Sequence, residues 1–444
     1  MKKLHTILST IILAALLLSA CAPAATHAPT TATTAAPTVK PTDKPVVTLE
    51  WWTVNSEETT EAAQRAMAKE FEKTHPNIKI NVTVLPESGF TEKMTTTLGA
   101  GSGAPDVAYF WDNNWFPQAL DLKPYIEKTK FDIKQYTPSM WSTRALFGDK
   151  VVGLPLGIGG NFIMYNKKVF DEMKVAYPDE NLTPEGYIEL VKKLNDPAKK
   201  RWGGDTPRGP YRAIWYNMGA HPFSDDNKKV DGYLNSEASV KAYQWLHDLF
   251  STKAVPTPAD LATLGNEGTG PVDLFMAGRL AMATLNQGHM LNAIKAGVPF
   301  GIIPEPGYKD KQRYVNAWSL TVSVWKGTKY PDEAWEFLKY WAGPEGQKYL
   351  MENSNLLPSI PSVLAQYKNA NTDYFKAFMK VMELPQVAEW TRPHVCNSTV
   401  LKAAQPVWDK VNLLQIQKAD IKSELDKLVP AAQTALEQCV AKLK

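Results

Sequence analysis

The chain has 444 residues, 44% hydrophobic and 21% charged, which is more than one hydrophobic core organises at ~150 residues per domain, so two or three lobes are expected. That composition argues against global disorder and against a polytopic membrane protein. Lys and Arg number 49 against 46 Asp and Glu, a near balance that supplies no basic stripe for a phosphate backbone, so nucleic acid is not an expected partner.

Lys2 and Lys3 precede an apolar run from Ile7 to Leu18, which ends in Leu18-Ser19-Ala20-Cys21. The run is shorter than the ~20 residues a helix needs to cross a bilayer, so residues 1–20 read as a secretory signal. The small residues before Cys21 resemble a bacterial lipobox, in which that cysteine is acylated. Residues 21–45 are mainly Ala, Thr and Pro with no apolar period, a tether of ~27 Å as a flexible coil, holding a soluble body off a membrane.

The body follows. Val46 to Trp51 reads as a strand, and Ile78, Ile80, Val82 and Val84 alternate as a second. Between them Ala63, Ala66, Met67 and Phe71 recur at helical spacing, with Ser56 as candidate cap and Glu57, Glu58 and Glu61 suited to the helix dipole. A helix over Glu92 to Leu98 ends in glycines before a strand at Asp106 to Phe110. Gly99 to Ala104 matches G-x-G-x-x-A, but the glycines follow a helix and precede a strand, the reverse of a dinucleotide fingerprint. Strand and helix alternation implies a parallel sheet with its ligands outside the strand carboxyl ends.

Further helices are expected over Pro184 to Leu194, over Ser236 to Phe250, from Pro331 to Gly343, and in most of the stretch after Pro406. Trp245, Trp335, Trp341 and Trp408 lie in such stretches and read as core. Of the three cysteines, removing Cys21 to the lipid leaves Cys396 and Cys439. In an exported chain that favours a bridge, against the alternative of two buried thiols. His394 and Cys396 have no second ligand pair at zinc spacing, so no metal or other cofactor is expected.

Six motifs then stand in order: Gly103-Ala104-Pro105-Asp106-Val107; Met164-Tyr165-Asn166-Lys167-Lys168-Val169-Phe170 with Leu182-Thr183-Pro184-Glu185; Asn235-Ser236-Glu237-Ala238; Phe275 to Met282; Phe300-Gly301-Ile302-Ile303-Pro304; and Pro331 to Phe337. Together they resemble the extracellular solute-binding proteins, family 1, of ABC importers, which include maltose- and glycerol-phosphate-binding proteins. The resemblance spans nearly everything from residue 46 onward.

It implies an α/β, two-lobed, periplasmic-binding-protein-like fold of type II, with hinge crossovers and a ligand cleft. Lobe one would take 46–155 with 304–350, and lobe two 156–303 with 351–444. It also implies a monomeric receptor, not an enzyme, lipid-anchored on the extracytoplasmic face of the cell membrane, that binds a carbohydrate, foremost an oligosaccharide, between its lobes and delivers it to the transmembrane subunits of a permease.

Sugars offer a C–H face that stacks on indole and a hydroxyl rim that needs planar hydrogen-bonding groups. Trp51, Trp52, Trp111, Trp115, Trp318 and Trp390 fall at strand ends or in loops beside Asn, Ser, Asp or Arg. They are candidate ligand residues, with Asn55, Asp112, Asn113, Gln287, His289, Asn316 and Arg392. The loop Trp111-Asp112-Asn113-Asn114-Trp115 resembles a position where relatives place an aromatic and an acid on the sugar. Two departures bear on the ligand class. Gly157-Ile158-Gly159-Gly160-Asn161 stands where the maltose-binding relative has an acid, and Asn286-Gln287-Gly288-His289 replaces the frequent Gly-x-Trp. The second is closer to glycerol-phosphate binders, so a glycerophospho ligand is one alternative. A secreted glycan hydrolase is another, without H-E-x-x-H, G-x-S-x-G or a P-loop to support it.

Overall fold

The computed structural model describes residues 45–56, 58–137, 140–141, 145–147, 149–207, 211–257, 259–261, 270–385 and 396–441. Cys21, Trp390, Arg392 and His394 lie outside these residues.

The first lobe is built on a five-stranded sheet in the order β2-β1-β3-β11-β6. These strands are β1 Val47–Asn55, β2 Ile78–Pro86, β3 Val107–Tyr109, β6 Leu154–Pro155 and β11 Thr321–Val324. As expected from the alternation, β1 runs parallel to β2 and β3. Strand β11 is antiparallel to both β3 and β6, so the sheet is mixed. The chain leaves this lobe along β6 and re-enters along β11, and outgoing and incoming segments that pair side by side must run oppositely.

The second lobe centres on β7 Gly159–Asn166, antiparallel to β8 Met282–Asn286, β9 Phe300–Ile303 and β10 Ala317–Trp318. Two further short strands, β4 Leu146–Phe147 and β5 Lys150–Val151, pair with each other. Side chains alternate faces along a strand. Phe162 and Met164 of β7 therefore enter one core with Leu285 and Phe378, and Ile163 and Tyr165 enter another with Trp215, Tyr243 and Trp408. Strand β7 is thus buried on both faces, which explains its nearly continuous apolar run.

Three crossings link the lobes and lie side by side. Leu156 donates its N–H to the Leu320 carbonyl at 2.7 Å, and Ile158 to the Leu357 carbonyl at 2.8 Å. The buried Gln347 amide ties them, donating to the Pro155 and Ala342 carbonyls and accepting from the N–H groups of Ser359 and Ile360. The first return falls at Ser319–Leu320 rather than at 304. Residues 304–318 stay with the second lobe because Asn217 donates to the Glu305 and Pro306 carbonyls, Arg313 holds the Leu182 and Gly307 carbonyls, and β10 completes the β7 sheet.

Helix signals hold with shifted ends. Ser236 caps helix Glu237–Ser251, and helix Pro184–Leu194 starts and stops where its period does. Thr60, not Ser56, caps helix Glu61–Thr74; Ser56 instead accepts from the Glu58 and Thr59 N–H groups in the preceding turn. Helix Glu87–Ala100 continues through Gly99 and stops at Gly101, whose φ of 66° is left-handed. Helices Asn397–Asn412 and Ile421–Ala441 run through Pro406 and Pro430. Cys396 and Cys439 are bridged, their Cα atoms 5.7 Å apart.

Candidate ligand-binding site

The carboxyl ends of β1 and β3 face the crossings, since Phe110 donates its N–H to the Thr321 carbonyl at 2.9 Å. Several predicted residues sit at this end, in different roles. Trp51 is fully buried, its ring edge-on to Phe337 at 5.1 Å and to Trp341 at 4.7 Å. It is a core residue, a correction to the ligand assignment, because alternation along β1 aims it at the helix layer. Trp52 points the other way, but its ring is covered by the Lys93 ammonium 4.4 Å from the centroid. Trp115 is buried, its indole N–H donated to Thr95.

Trp111 is half-buried, its ring 4.6 Å from Phe90 and its indole N–H donated to Thr91 Oγ1 at 3.1 Å. Asp112 caps the short 3-10 helix Asn113–Gln118 by accepting from the Asn114 N–H and Nδ2. Exposed Asn55 accepts from the Glu61 N–H at the start of the next helix. Both carry local hydrogen bonds that a ligand would have to share.

The second lobe contributes a sheet face. Residues directly opposite in an antiparallel pair share a face, and Asn161 pairs with Asn286 while Gly159 pairs with Trp318. By alternation Asn161, Asn286, Asn316 and Trp318 therefore share the face that carries Ile163 and Tyr165 further along, here at its crossing end. Gly159 is small by necessity: a Cβ there would lie 2.6 Å from Trp318 Nε1 and 2.7 Å from Gln287 Nε2.

Gln287 joins the lobes. Its Oε1 accepts from the Gly160 N–H at 3.0 Å, and its Nε2 donates to the Glu58 carboxylate in the loop after β1. Both ends of this buried amide are engaged, so it works as an interlobe tie. His289 occupies the third position of helix Gln287–Ala296, where its Nδ1 accepts from the Asn286 N–H at 3.4 Å in a capping box.

Asn316 differs from all of these. It is 1% exposed, and neither Oδ1 nor Nδ2 has a partner among the described residues. A buried polar group left unpaired costs about 1–3 kcal/mol. A sugar hydroxyl, donor and acceptor together, would satisfy either end.

Sequence reasoning missed Glu58 as a contact between lobes, taking it for a helix-dipole acid. It also passed over Asn161 and Asn286, whose signal was a polar residue in register with a buried face. A further buried carboxyl, Glu305, accepts from the Ile214 N–H at 3.2 Å. Burial pushes it up to about 7, with the Ile214 N–H and Arg212 opposing and Asp205 adding to the rise. Because the folded value lies above the unfolded one, its contribution to stability is complete below about pH 4.5 and is lost as pH rises through 7. The size is on the order of 3 kcal/mol. Urea midpoints should therefore fall between pH 5 and 8 in the parent and fall less in Glu305→Gln. Equal declines in both would refute this assignment.

Comparison with known proteins gives this arrangement a context. The profile described as bacterial extracellular solute-binding protein matches residues 55–348. An arabinooligosaccharide-binding protein of Bacillus subtilis is 27% identical over 351 residues, covering 74% of this chain and 78% of that one. An erythritol/L-threitol-binding protein of Mycolicibacterium smegmatis is 24% identical, covering 68% of each. Among solved structures, an ABC substrate-binding protein from Listeria monocytogenes in complex with cycloalternan superposes with a TM-score of 0.73, at 23% identity, over 89% of this chain and 99% of that one.

Proposed function

The chain belongs to the bacterial extracellular solute-binding proteins, binding proteins of ABC transporters rather than enzymes, and from that membership we propose that it captures an oligosaccharide between its lobes and delivers it to the transmembrane subunits of an importer. The observation that carries the carbohydrate reading is the buried Asn316 amide, unpartnered among the described residues and on the same sheet face as Asn161, Asn286 and the half-buried Trp318. Planar amides beside an indole match the hydroxyl rim and C–H face of a sugar.

The B. subtilis relative, which binds arabinooligosaccharides by its name, supports the same class. A glycerophospho ligand would want cations, and the described residues on this face offer amides and, across the cleft, the Glu58 carboxylate. Closure would follow from a ligand that touches both lobes, since binding favours whichever arrangement it contacts best. Trp111 and Asp112 would then reach it from the first lobe.

The test is a thermal-shift screen over oligosaccharides, polyols and glycerophospho compounds. A ligand at 100 times its Kd stabilises by about 2.7 kcal/mol. A shift with oligosaccharides is the expected result, and a shift confined to glycerophospho compounds would overturn the sugar assignment. The motif Leu18-Ser19-Ala20-Cys21 supports anchoring through an acylated Cys21. Mass spectrometry of the membrane-extracted protein should find the lipid there, and an unmodified N-terminus would remove this part of the reading.

A further inference from the structure

Next to the Glu58–Gln287 contact lies a cavity of about 760 Å³ lined by residues of both lobes. Asn292 and Lys295, on helix Gln287–Ala296 of the second lobe, form one wall. Ser354 and Asn355, where helix Pro344–Asn353 of the first lobe ends, also line the cavity, with Tyr367 and Asn369. The volume is in the upper part of the ~300–1,000 Å³ range of small-molecule sites.

Two connections place this cavity beside the candidate site. Asn292 stands one helical turn beyond His289, and residues three apart on a helix share a face. Ser354 donates its hydroxyl to the Glu58 carbonyl at 2.8 Å, and the Glu58 carboxylate receives Gln287. The wall repeats the amides of the site and adds the charged Lys295, Lys368 and Glu352. Asn292, Asn355 and Asn369 are planar amides that both donate and accept. Tyr367 is half-buried, with its ring 5.1 Å from Phe375 and its hydroxyl accepting from Asn369 Nδ2 at 3.3 Å. The same pairing of amides with one supported aromatic ring therefore occurs on both sides of the interlobe tie.

We infer that this groove is an outer carbohydrate subsite, taking the distal units of a sugar chain whose first units lie at Asn316 and Trp318. The inference rests on the oligosaccharide reading above and extends it. Since the walls come from both lobes, a chain long enough to enter the groove gains contacts that exist only when the lobes are together. Longer chains therefore bind more tightly and favour the closed arrangement.

The experiment is calorimetry on the purified full chain with arabino-, manno- and malto-oligosaccharides of two to six units, using the parent, Asn355→Trp and Tyr367→Ala. Asn355 is exposed at the groove wall, so Asn355→Trp fills the space without touching a core. In the series that binds, parent affinity should rise with chain length. Asn355→Trp should weaken the longest chain about tenfold and leave the shortest ligand within about twofold, as expected for a lost contact worth one decade in Kd. Tyr367→Ala should do the same, and if it unfolds, Asn355→Trp decides alone. Parent-like binding of long chains by Asn355→Trp overturns the subsite, and so does equal weakening of long and short chains. Both of those outcomes leave the oligosaccharide reading standing. Failure of every series to bind the parent removes both.

Discussion

Asn316→Leu is expected to stabilise the unliganded protein and to weaken sugar binding, opposite signs from one substitution. The side chain is 1% exposed, with both polar ends unpartnered among the described residues. Exchanging a buried, unpaired amide for an apolar group of similar size removes a desolvation penalty of about 1–3 kcal/mol. The same exchange deletes the donor and acceptor offered to a ligand hydroxyl, which should cost about five- to 150-fold in affinity. Urea unfolding without ligand and calorimetry with the sugar found by thermal shift would measure the two effects. A residue whose amide is merely structural predicts the reverse pattern, with stability falling and affinity unchanged, and that result would reject Asn316 as a ligand group.

Opening the Cys396–Cys439 bridge should produce the other large effect. The cysteines are 43 positions apart and join the start of helix Asn397–Asn412 to the last turn of helix Ile421–Ala441. Cross-linking a loop of that length removes unfolded-state entropy worth about 4 kcal/mol in the chain-entropy model. Helix Asn397–Asn412 also carries Val400, Ala404, Val407 and Trp408 into the core around Trp215. A double Cys396→Ala, Cys439→Ala variant should therefore unfold at markedly lower urea, and the parent should approach it when reduced. Identical midpoints for oxidised parent, reduced parent and variant would show that the loop is held by packing alone.

Legibility differed by scale. Helix Pro184–Leu194 and helix Glu237–Ser251 were readable because their apolar period and capping residues, Thr183 and Ser236, are local in the chain. Buried Trp245, Trp335, Trp341 and Trp408 were readable for the same reason, each lying in an apolar helical stripe. Trp51 was not. Trp51 and Trp52 are neighbours in sequence with the same polar surroundings, and only the helix packed on one face of β1 decides which of them enters the core. The return crossing was misplaced to 304 because that boundary came from the resemblance alone, which does not reveal that Glu305 and Arg313 still bind the second lobe.

By itself the sequence determined the family, the α/β alternation, the burial of Trp245, Trp335, Trp341 and Trp408 and the positions of most helices, since motif order, periodicity and caps are written within a few residues of each other. Tertiary structure alone decided that Gln287 meets both Gly160 and Glu58, that Ser354 meets Glu58, and that Asn316 is buried without a partner among the described residues. Glu58 and Gln287 are 229 positions apart. Their contact depends on three crossings that bring two lobes face to face, and no local pattern in either segment records what the other lobe will place opposite it.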